Sequence, residues 1–203
     1  MVTAPPPIVA EEFLAAIASI DTATLHDLVE PDGLAILAGV ENRVRSDEMV
    51  ALLETGLEEN LAAGYWQSFR DDFAAIRGIP IDTLSVGGER PEDLGSDYAA
   101  VVVSGGGTDG VVVLRLSEEQ GWQVDMIATI GPALVNSLVD YLESALGGAS
   151  GEVIAEASRW AVLPGLDAAI VLDPGNATAI KALADLDKLG IGGEGSATKK
   201  DEQ

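Results

Sequence analysis

The segment from residue 81 to residue 130 constrains the fold more than any other part of the sequence. It contains four short runs rich in β-branched and other apolar residues, and glycine-rich or polar segments separate these runs. Apolar runs bounded by turn-forming residues are typical of an antiparallel β-meander. The predicted strands cover residues 81–86, 98–103, 111–116 and 122–127.

Both faces of the two central predicted strands are apolar. Side chains alternate between the faces of a strand, so residues two positions apart share a face. One face carries Val101, Val103, Val112 and Leu114, and the other carries Tyr98, Val102, Val111 and Val113. A sheet with one wet face alternates apolar and polar residues, so we expect this sheet to be covered on both faces.

The net negative charge of the chain argues against two classes of binding partner. The chain has 203 residues, of which 47% are hydrophobic, and a formal net charge of −23. This length and composition suit one generous domain, or a domain with an extension. The charge argues against a nucleic acid partner and against an anionic membrane surface, because no basic patch is available. No run of 18 or more apolar residues is present, so we expect no direct membrane insertion by this chain.

The absence of cysteine excludes several kinds of site. No disulfide, thiolate nucleophile or cysteine metal site is possible. His26 is the only histidine, which also excludes a metal site built from several histidines. We therefore expect no bound metal and no cofactor, and we interpret His26 as a surface or capping residue.

The first seven residues form a proline-rich segment that lacks the charged and apolar regions of a signal peptide. Such a segment is typical of a linker, including one that remains after an export or anchor segment has been removed. Two locations are therefore left open. The protein is extracytoplasmic if an export segment preceded residue 1, and cytoplasmic otherwise.

Three helices are predicted before the first strand. The spacing of apolar residues, including Phe13 and Ile17, indicates a first helix over residues 8–20. Asp21 is a predicted N-cap for a short second helix. Ser46 can cap a third helix, for which Gly64 is the predicted end. The apolar segment 34–40 and a loop at 41–45 lie between the second and third helices.

This order of elements resembles the nuclear transport factor two-like superfamily, which includes SnoaL-like and ketosteroid isomerase-like proteins. The resemblance covers roughly residues 8–130. It is carried by Phe13 and Ile17, by Asp21 with the helix that follows it, and by the closing strand at 121–126. It implies an α+β cone, in which three N-terminal helices pack on a curved antiparallel β-meander and C-terminal helices follow.

The part of the chain beyond residue 131 has helical periodicity. Helices are predicted at 134–146, 152–163, 166–172 and 177–189, with a kink or break at Pro164. Residues 169–179 resemble the junction between two tetratricopeptide-type helices, but one junction predicts only a helical hairpin. The predicted organisation is a linker at 1–7, a cone domain at 8–131, a helical extension at 132–189 and a disordered tail at 190–203.

The sequence offers few groups for catalysis. The isomerases of the superfamily use a carboxylate base in an apolar cone, with acidic or phenolic donors. Asp97 and Asp125 lie in or next to predicted strands and can point inward, but the first helix has no tyrosine to act as the donor. No catalytic residue is therefore assigned. The triple glycine at 105–107 precedes a strand and not a helix, so we interpret it as a flexible hairpin and not as a phosphate cradle.

Aromatic side chains mark the predicted ligand-binding site. Aromatic rings supply apolar area together with polar groups, which suits the lining of a cavity. The predicted ligand-binding residues are Tyr65, Trp66, Phe69, Trp122 and Asp125. An ordinary corner of the core is the alternative interpretation of the cluster at 65–69.

Three functions are compatible with these observations, because one fold hosts many functions. The first is a non-catalytic module that binds a small apolar ligand or another protein, and that is the soluble part of an exported or anchored protein. The alternative is a small-molecule isomerase or hydrolyase-like enzyme that uses the cone pocket. The third is a structural dimer whose sheet faces pair. We expect a monomer or weak homodimer, because the C-terminal helices can cover the second face of the sheet in place of a partner.

Overall fold

The computed structural model describes residues 4–192, apart from the side chain of Pro132. In this range the chain is α+β, as predicted, with a four-stranded antiparallel sheet placed between two groups of helices. The helices are α1 (Pro6–Ser19), α2 (Thr22–Leu28), α3 (Pro31–Glu41), α4 (Ser46–Thr55), α5 (Glu59–Arg77), α6 (Met126–Ala145), α7 (Gly148–Leu172) and α8 (Ala177–Lys188). The strands are β1 (Ser85–Glu89), β2 (Tyr98–Gly105), β3 (Thr108–Ser117) and β4 (Gly121–Val124).

Five helices precede the sheet, and the prediction of three is wrong. Helix α3 occupies the apolar segment at 34–40. Every residue from 33 to 40 is buried, so α3 has no polar face, and the periodicity that identifies a surface helix is missing. The predicted third helix is in fact α4 and α5. They are separated at Gly56, whose φ of 71° and ψ of −175° lie in a region almost restricted to glycine.

The ends of several helices follow capping rules. Helix α1 begins at Pro6, earlier than predicted, because proline at the first helical position needs no hydrogen-bond partner for its nitrogen. Phe13 and Ile17 are buried on α1 as expected. Asp21 caps α2, accepting from Thr24 N at 3.1 Å, which confirms that prediction. The predicted end at Gly64 is wrong, since this residue lies inside α5.

The sheet is the predicted antiparallel meander, with strand order β1-β2-β3-β4. Strand β2 pairs with β3 over the full length of β2, from Tyr98 opposite Arg115 to Gly105 opposite Thr108. The first predicted strand is displaced, because residues 81–83 form a 3-10 turn after Pro80 and β1 starts at Ser85. The predicted last strand is too long. It ends at Val124, where Asp125 caps α6 by accepting from Ala128 N at 2.8 Å.

Helix α6 crosses residues 131 and 132, where the sequence suggested a domain boundary. Its first turn is tied to the sheet, because the Thr129 hydroxyl accepts a 3.0 Å hydrogen bond from Val113 N. Residues 1–3 of the predicted linker and 193–203 of the predicted tail lie outside the described residues. The division of the chain into domains therefore stays a prediction.

A kink or break is predicted at Pro164. The break is wrong, because α7 continues through this residue. Proline has no N–H, so the carbonyl four residues earlier, that of Trp160, loses its partner within the helix. Arg115 on β3 supplies the missing donor, since its Nη1 donates a 2.6 Å hydrogen bond to Trp160 O. The side chain of a neighbouring strand thus replaces a hydrogen bond of the helix. After α7, Asn176 caps α8 and completes the expected hairpin.

Both faces of the sheet are covered. Val101 and Leu114 belong to one core cluster with Phe13 and Ile17 of α1. On the opposite face, Val113 packs against Ala128 of α6 and Ala168 of α7. The C-terminal helices therefore cover part of the second face, as the hypothesis requires. The oligomeric state stays a prediction.

Within residues 4–192, none of the helices combines the length and the apolar character that crossing a bilayer requires.

Candidate functional site

A cleft of about 420 Å³ lies among the N-terminal helices. Helix α2, the start of α3, the connection between α4 and α5, and the first half of α5 form its walls. Because α4 ends at Gly56 and α5 begins at Glu59, a short non-helical segment opens the cleft on one side. The lining residues are Thr22, Ala23, His26, Val29, Pro31, Leu34, Gly56, Leu57, Glu59, Ala62 and Trp66.

The inner wall of the cleft is apolar and its rim is polar. Val29, Leu34 and Trp66 are buried and lie in this inner wall. His26 and Glu59 are exposed at the rim. This division is typical of small-molecule sites, in which apolar surface supplies affinity and a few polar groups fix orientation.

Trp66 is held in place by other aromatic rings. Its ring meets Tyr65 edge-on at 5.1 Å between centroids, Phe69 at 5.7 Å and Phe13 at 6.0 Å. Edge-to-face pairs of this kind each add about 0.5–1.5 kcal/mol beyond the burial of their area. The wall that Trp66 presents to the cleft is therefore rigid before any ligand arrives.

The structure does not bring the five predicted binding residues together. Trp66 lies in the wall of the cleft, and Tyr65 and Phe69 pack against Trp66. Trp122 is partly buried on β4, and Asp125 is buried at the start of α6.

Sequence reasoning missed most of the lining residues. His26 is exposed, as expected of a surface residue, but its place in the lining of the cleft was not predicted. Leu34 was predicted only as part of an apolar segment and not as part of a helix. One sequence signal could have identified Leu57 as a lining residue. Gly56 lies between two amphipathic segments, and glycine commonly follows the end of a helix, so Leu57 could be assigned to the connection between two helices.

A second cluster of polar side chains lies where α3 and α6 begin. Val29 pairs with Val124 in an isolated parallel bridge, and Glu30 N donates to Val124 O at 3.0 Å. Glu30 caps α3 by accepting from Asp32 N at 3.0 Å and from Gly33 N at 2.7 Å. Asp125 caps α6, and Tyr98 Oη donates a further 3.1 Å hydrogen bond to it. Two helices thus start side by side, each with a carboxylate at its N-terminus.

Burial controls the protonation of these carboxylates. It raises the pKa of Glu30 to about 7, and the nearby charge of Asp125 adds to the effect. Burial also raises the pKa of Asp125, against the opposing effects of Ala128 N–H, the Tyr98 hydroxyl and Arg115. The pKa of Tyr98 is raised by burial and by the charge of Asp125. A carboxyl group with a pKa near 7 can hold a proton at neutral pH.

The position of these groups favours a structural role over a catalytic one. Neither Glu30 nor Asp125 lines the cleft. Asp97, the other predicted inward-pointing carboxylate, is exposed in the loop before β2, so that expectation is wrong. It lies one residue outside the strand and accepts a hydrogen bond from the Ser96 hydroxyl. Among the described residues, no group of three or more histidine, cysteine, aspartate or glutamate side chains is arranged to hold a metal ion.

No protein-family model, no curated protein and no solved structure matches the chain.

Proposed function

We propose that the protein is a non-catalytic binding module that holds one small, mainly apolar molecule in the cleft between α2 and α5. The observation that carries this proposal is the cleft itself, with Trp66 in its wall. Its volume of about 420 Å³ falls within the range of roughly 300–1,000 Å³ that ligand pockets occupy.

The lining indicates the chemistry of the ligand. Leu57 and Ala62 line the cleft and are half-buried, so they offer apolar contact to the body of the molecule. His26 and Glu59 can hydrogen-bond to one polar group at the open end. The net charge of −23 repels anions, so a neutral or cationic ligand is favoured over a carboxylate or a phosphate.

We also propose that α1, α2 and the sheet are a variant of the cone of the nuclear transport factor two-like superfamily. The support is the order of the elements and the packing of α1 across the sheet, with Phe13 and Ile17 in the same core cluster as Val101. This proposal concerns the scaffold only, because a shared fold does not fix a function.

The neutral fluorophore N-phenyl-1-naphthylamine tests the binding proposal. In a Trp122→Phe/Trp160→Phe variant, Trp66 is the sole tryptophan and serves as the energy donor. We expect saturable one-site enhancement of the probe, together with energy transfer from Trp66. Binding without energy transfer would place the probe elsewhere and contradict the proposal.

A pair of alanine-to-tryptophan variants provides the control, made in the wild-type background and measured by probe enhancement. Ala23 is exposed on α2 and lines the cleft, so Ala23→Trp should fill the mouth and weaken binding by at least about tenfold, a loss of about 1.4 kcal/mol. Ala51 is exposed on α4 away from the cleft, so Ala51→Trp should leave the affinity unchanged. Equal affinities of the two variants would mean that the cleft is not the site.

The alternative function is a proton-transfer enzyme of the isomerase or hydrolyase type. The observation in its favour is Asp125, which is buried, has a raised pKa and accepts a hydrogen bond from Tyr98. A carboxylate in such surroundings has the properties of a general base. If this alternative is correct, the protein should catalyse the exchange of an α-proton of a bound ketone for deuterium. The rate of this exchange should depend on Asp125. If Asp125→Asn leaves such exchange unchanged, the enzyme proposal fails.

A further inference from the structure

The outward face of α7 carries a regular apolar row. The residues are spaced alternately four and three positions apart, which is the spacing of the contact row in helix–helix pairs. We name this row the α7 seam; its members are Val153, Ala157, Trp160, Pro164, Asp167 and Val171. Five of the six are apolar, and only Asp167 is charged.

Four members of the α7 seam are exposed, and the two between them, Ala157 and Pro164, are half-buried. Trp160 is 64% exposed, Val171 44% and Val153 41%. Isolated apolar residues are common on protein surfaces, but a row that includes an exposed tryptophan is typical of an interaction site. Tryptophan is also among the residues that most often dominate the energy of an interface.

The inward face of α7 fixes the seam in position. Ile154, Val162 and Leu166 are buried on that face. The Arg115 hydrogen bond to Trp160 O anchors the backbone at the centre of the seam. A partner would therefore meet a preformed surface, which lowers the entropic cost of binding.

The charges beside the seam are mainly negative. Glu152 and Glu156 are exposed on α7, and Asp167 lies in the seam itself. The one cationic side chain of α7, Arg159, donates its Nη2 to Gly190 O at 3.0 Å and so turns toward the end of α8. Arg115 of β3 also reaches the seam, but its guanidinium is engaged by the carbonyl oxygen of Trp160. The surface around Trp160 therefore combines apolar contact with more acidic than basic neighbours.

We propose that the α7 seam is the docking site for a basic amphipathic helix of another protein. The apolar side of that helix would pack on Trp160 and Val153, and its lysine or arginine side chains would lie near Glu156 and Asp167. Docking of an amphipathic helix against an apolar row is a recurring mode of recognition, and charge complementarity selects the partner. A second copy of this chain would bring like charges together, since each copy carries a net charge of −23.

The test uses a fluorescein-labelled synthetic helix of about 18 residues, which spans about 27 Å and so matches the seam. The peptide contains only leucine and lysine, with leucine at alternating three- and four-residue spacing. Fluorescence anisotropy measures its affinity for the full chain. We expect one-site binding that Trp160→Ala weakens by at least about tenfold, and that added salt weakens further.

Three comparisons make the test decisive. Ile76, 81% exposed on α5, is the matched apolar control, and Ile76→Ala should leave the affinity unchanged. Val153→Lys, a second seam variant, removes apolar contact and repels the lysine peptide, so it should weaken binding as Trp160→Ala does. A peptide with glutamate in place of lysine should bind at least about tenfold more weakly.

Four results would overturn the proposal: no binding of the lysine peptide, equal binding by Trp160→Ala and Ile76→Ala, unaltered binding by Val153→Lys, or equal binding of the two peptides. A dimer in sedimentation that Trp160→Ala dissolves would assign the seam to a second copy, and would also overturn it.

Discussion

Glu30 donates its backbone N–H to the carbonyl oxygen of Val124 at 3.0 Å, and this contact makes α3 and α6 begin side by side. Each helix carries a partial positive charge at its N-terminus, which favours a carboxylate there. Glu30 and Asp125 occupy these two positions. The arrangement gives acceptors to the N–H groups of Asp32 and Gly33 in α3 and of Ala128 in α6, but it places two acidic side chains close together in a largely buried region.

The stability of the protein should depend on the protonation of Glu30. Its pKa is about 7, above the usual value of 4.5, so the folded chain binds this proton more tightly than the unfolded chain. Protonated Glu30 contributes to the free energy of unfolding below pH 4.5, and this contribution is lost as the pH rises toward 7. The raised pKa corresponds to a loss of unfolding free energy on the order of 3 kcal/mol. Asp125, whose pKa is also raised, acts with the same sign.

Urea denaturation from pH 4.5 to pH 8 measures this dependence. Glu30→Gln should flatten the fall in unfolding free energy, because the amide is neutral at every pH. The control is Glu12→Gln, which removes one negative charge from an exposed position on α1 and should retain the slope. Parallel curves for Glu30→Gln and the wild-type chain would show that Glu30 does not hold the proton.

Tyr98, which is half-buried, and Tyr65, which is buried, should respond in opposite ways to loss of the hydroxyl group. Tyr98 Oη donates to Asp125, so Tyr98→Phe leaves a buried carboxylate with one partner fewer and should cost about 1.5–3 kcal/mol. The Tyr65 hydroxyl is buried and has no hydrogen-bond partner among the described residues. Tyr65→Phe should therefore be neutral or should stabilise the chain by up to about 1 kcal/mol. Chemical denaturation of both variants checks the sign, and a larger loss for Tyr65→Phe would refute the assignment.

Gly165 permits α7 to pack closely on the start of α6. A Cβ atom at this position would lie 2.8 Å from Ile127 Cβ and 3.0 Å from Asp125 Oδ1. Gly165→Ala should therefore destabilise the chain by about 1–3 kcal/mol. Gly64 is the control, because it lies in α5 and its Cβ would meet nothing within 4 Å. Gly64→Ala should stabilise by about 0.5–1 kcal/mol through helix propensity, as thermal melts can show.

The sequence was most informative where local chemistry decides the structure. The meander was predictable because its turns are rich in glycine and its strands in β-branched residues. The cap at Asp21 was predictable for a similar reason. Cover on both faces of the sheet followed from the alternation of side chains in β2 and β3, since Val101 and Val113 point in opposite directions and are both buried.

The remaining features depend on contacts between distant segments. Helix α3 has no polar face because α4, α6 and α7 surround it, and no local pattern reports that burial. The course of α7 through Pro164 depends on Arg115, which lies 45 residues away from Trp160 in the chain. The cleft likewise combines side chains from α2, α3 and α5, so its volume could not be read from any single segment.

The contact between the starts of α3 and α6 also affects the order in which the chain can be completed. The Gln123 side chain donates to Val29 O across 94 residues of sequence. Synthesis of that interval takes on the order of 5–20 seconds at the usual rate of elongation. During this time α3 is already made, but the helices α6 and α7 that bury it have not yet left the ribosome. Of the three helices that pack on α3, the newborn chain then has only α4, so α3 is incompletely covered. We therefore expect its yield in a cell to depend on chaperones that protect such a segment until the C-terminal half arrives.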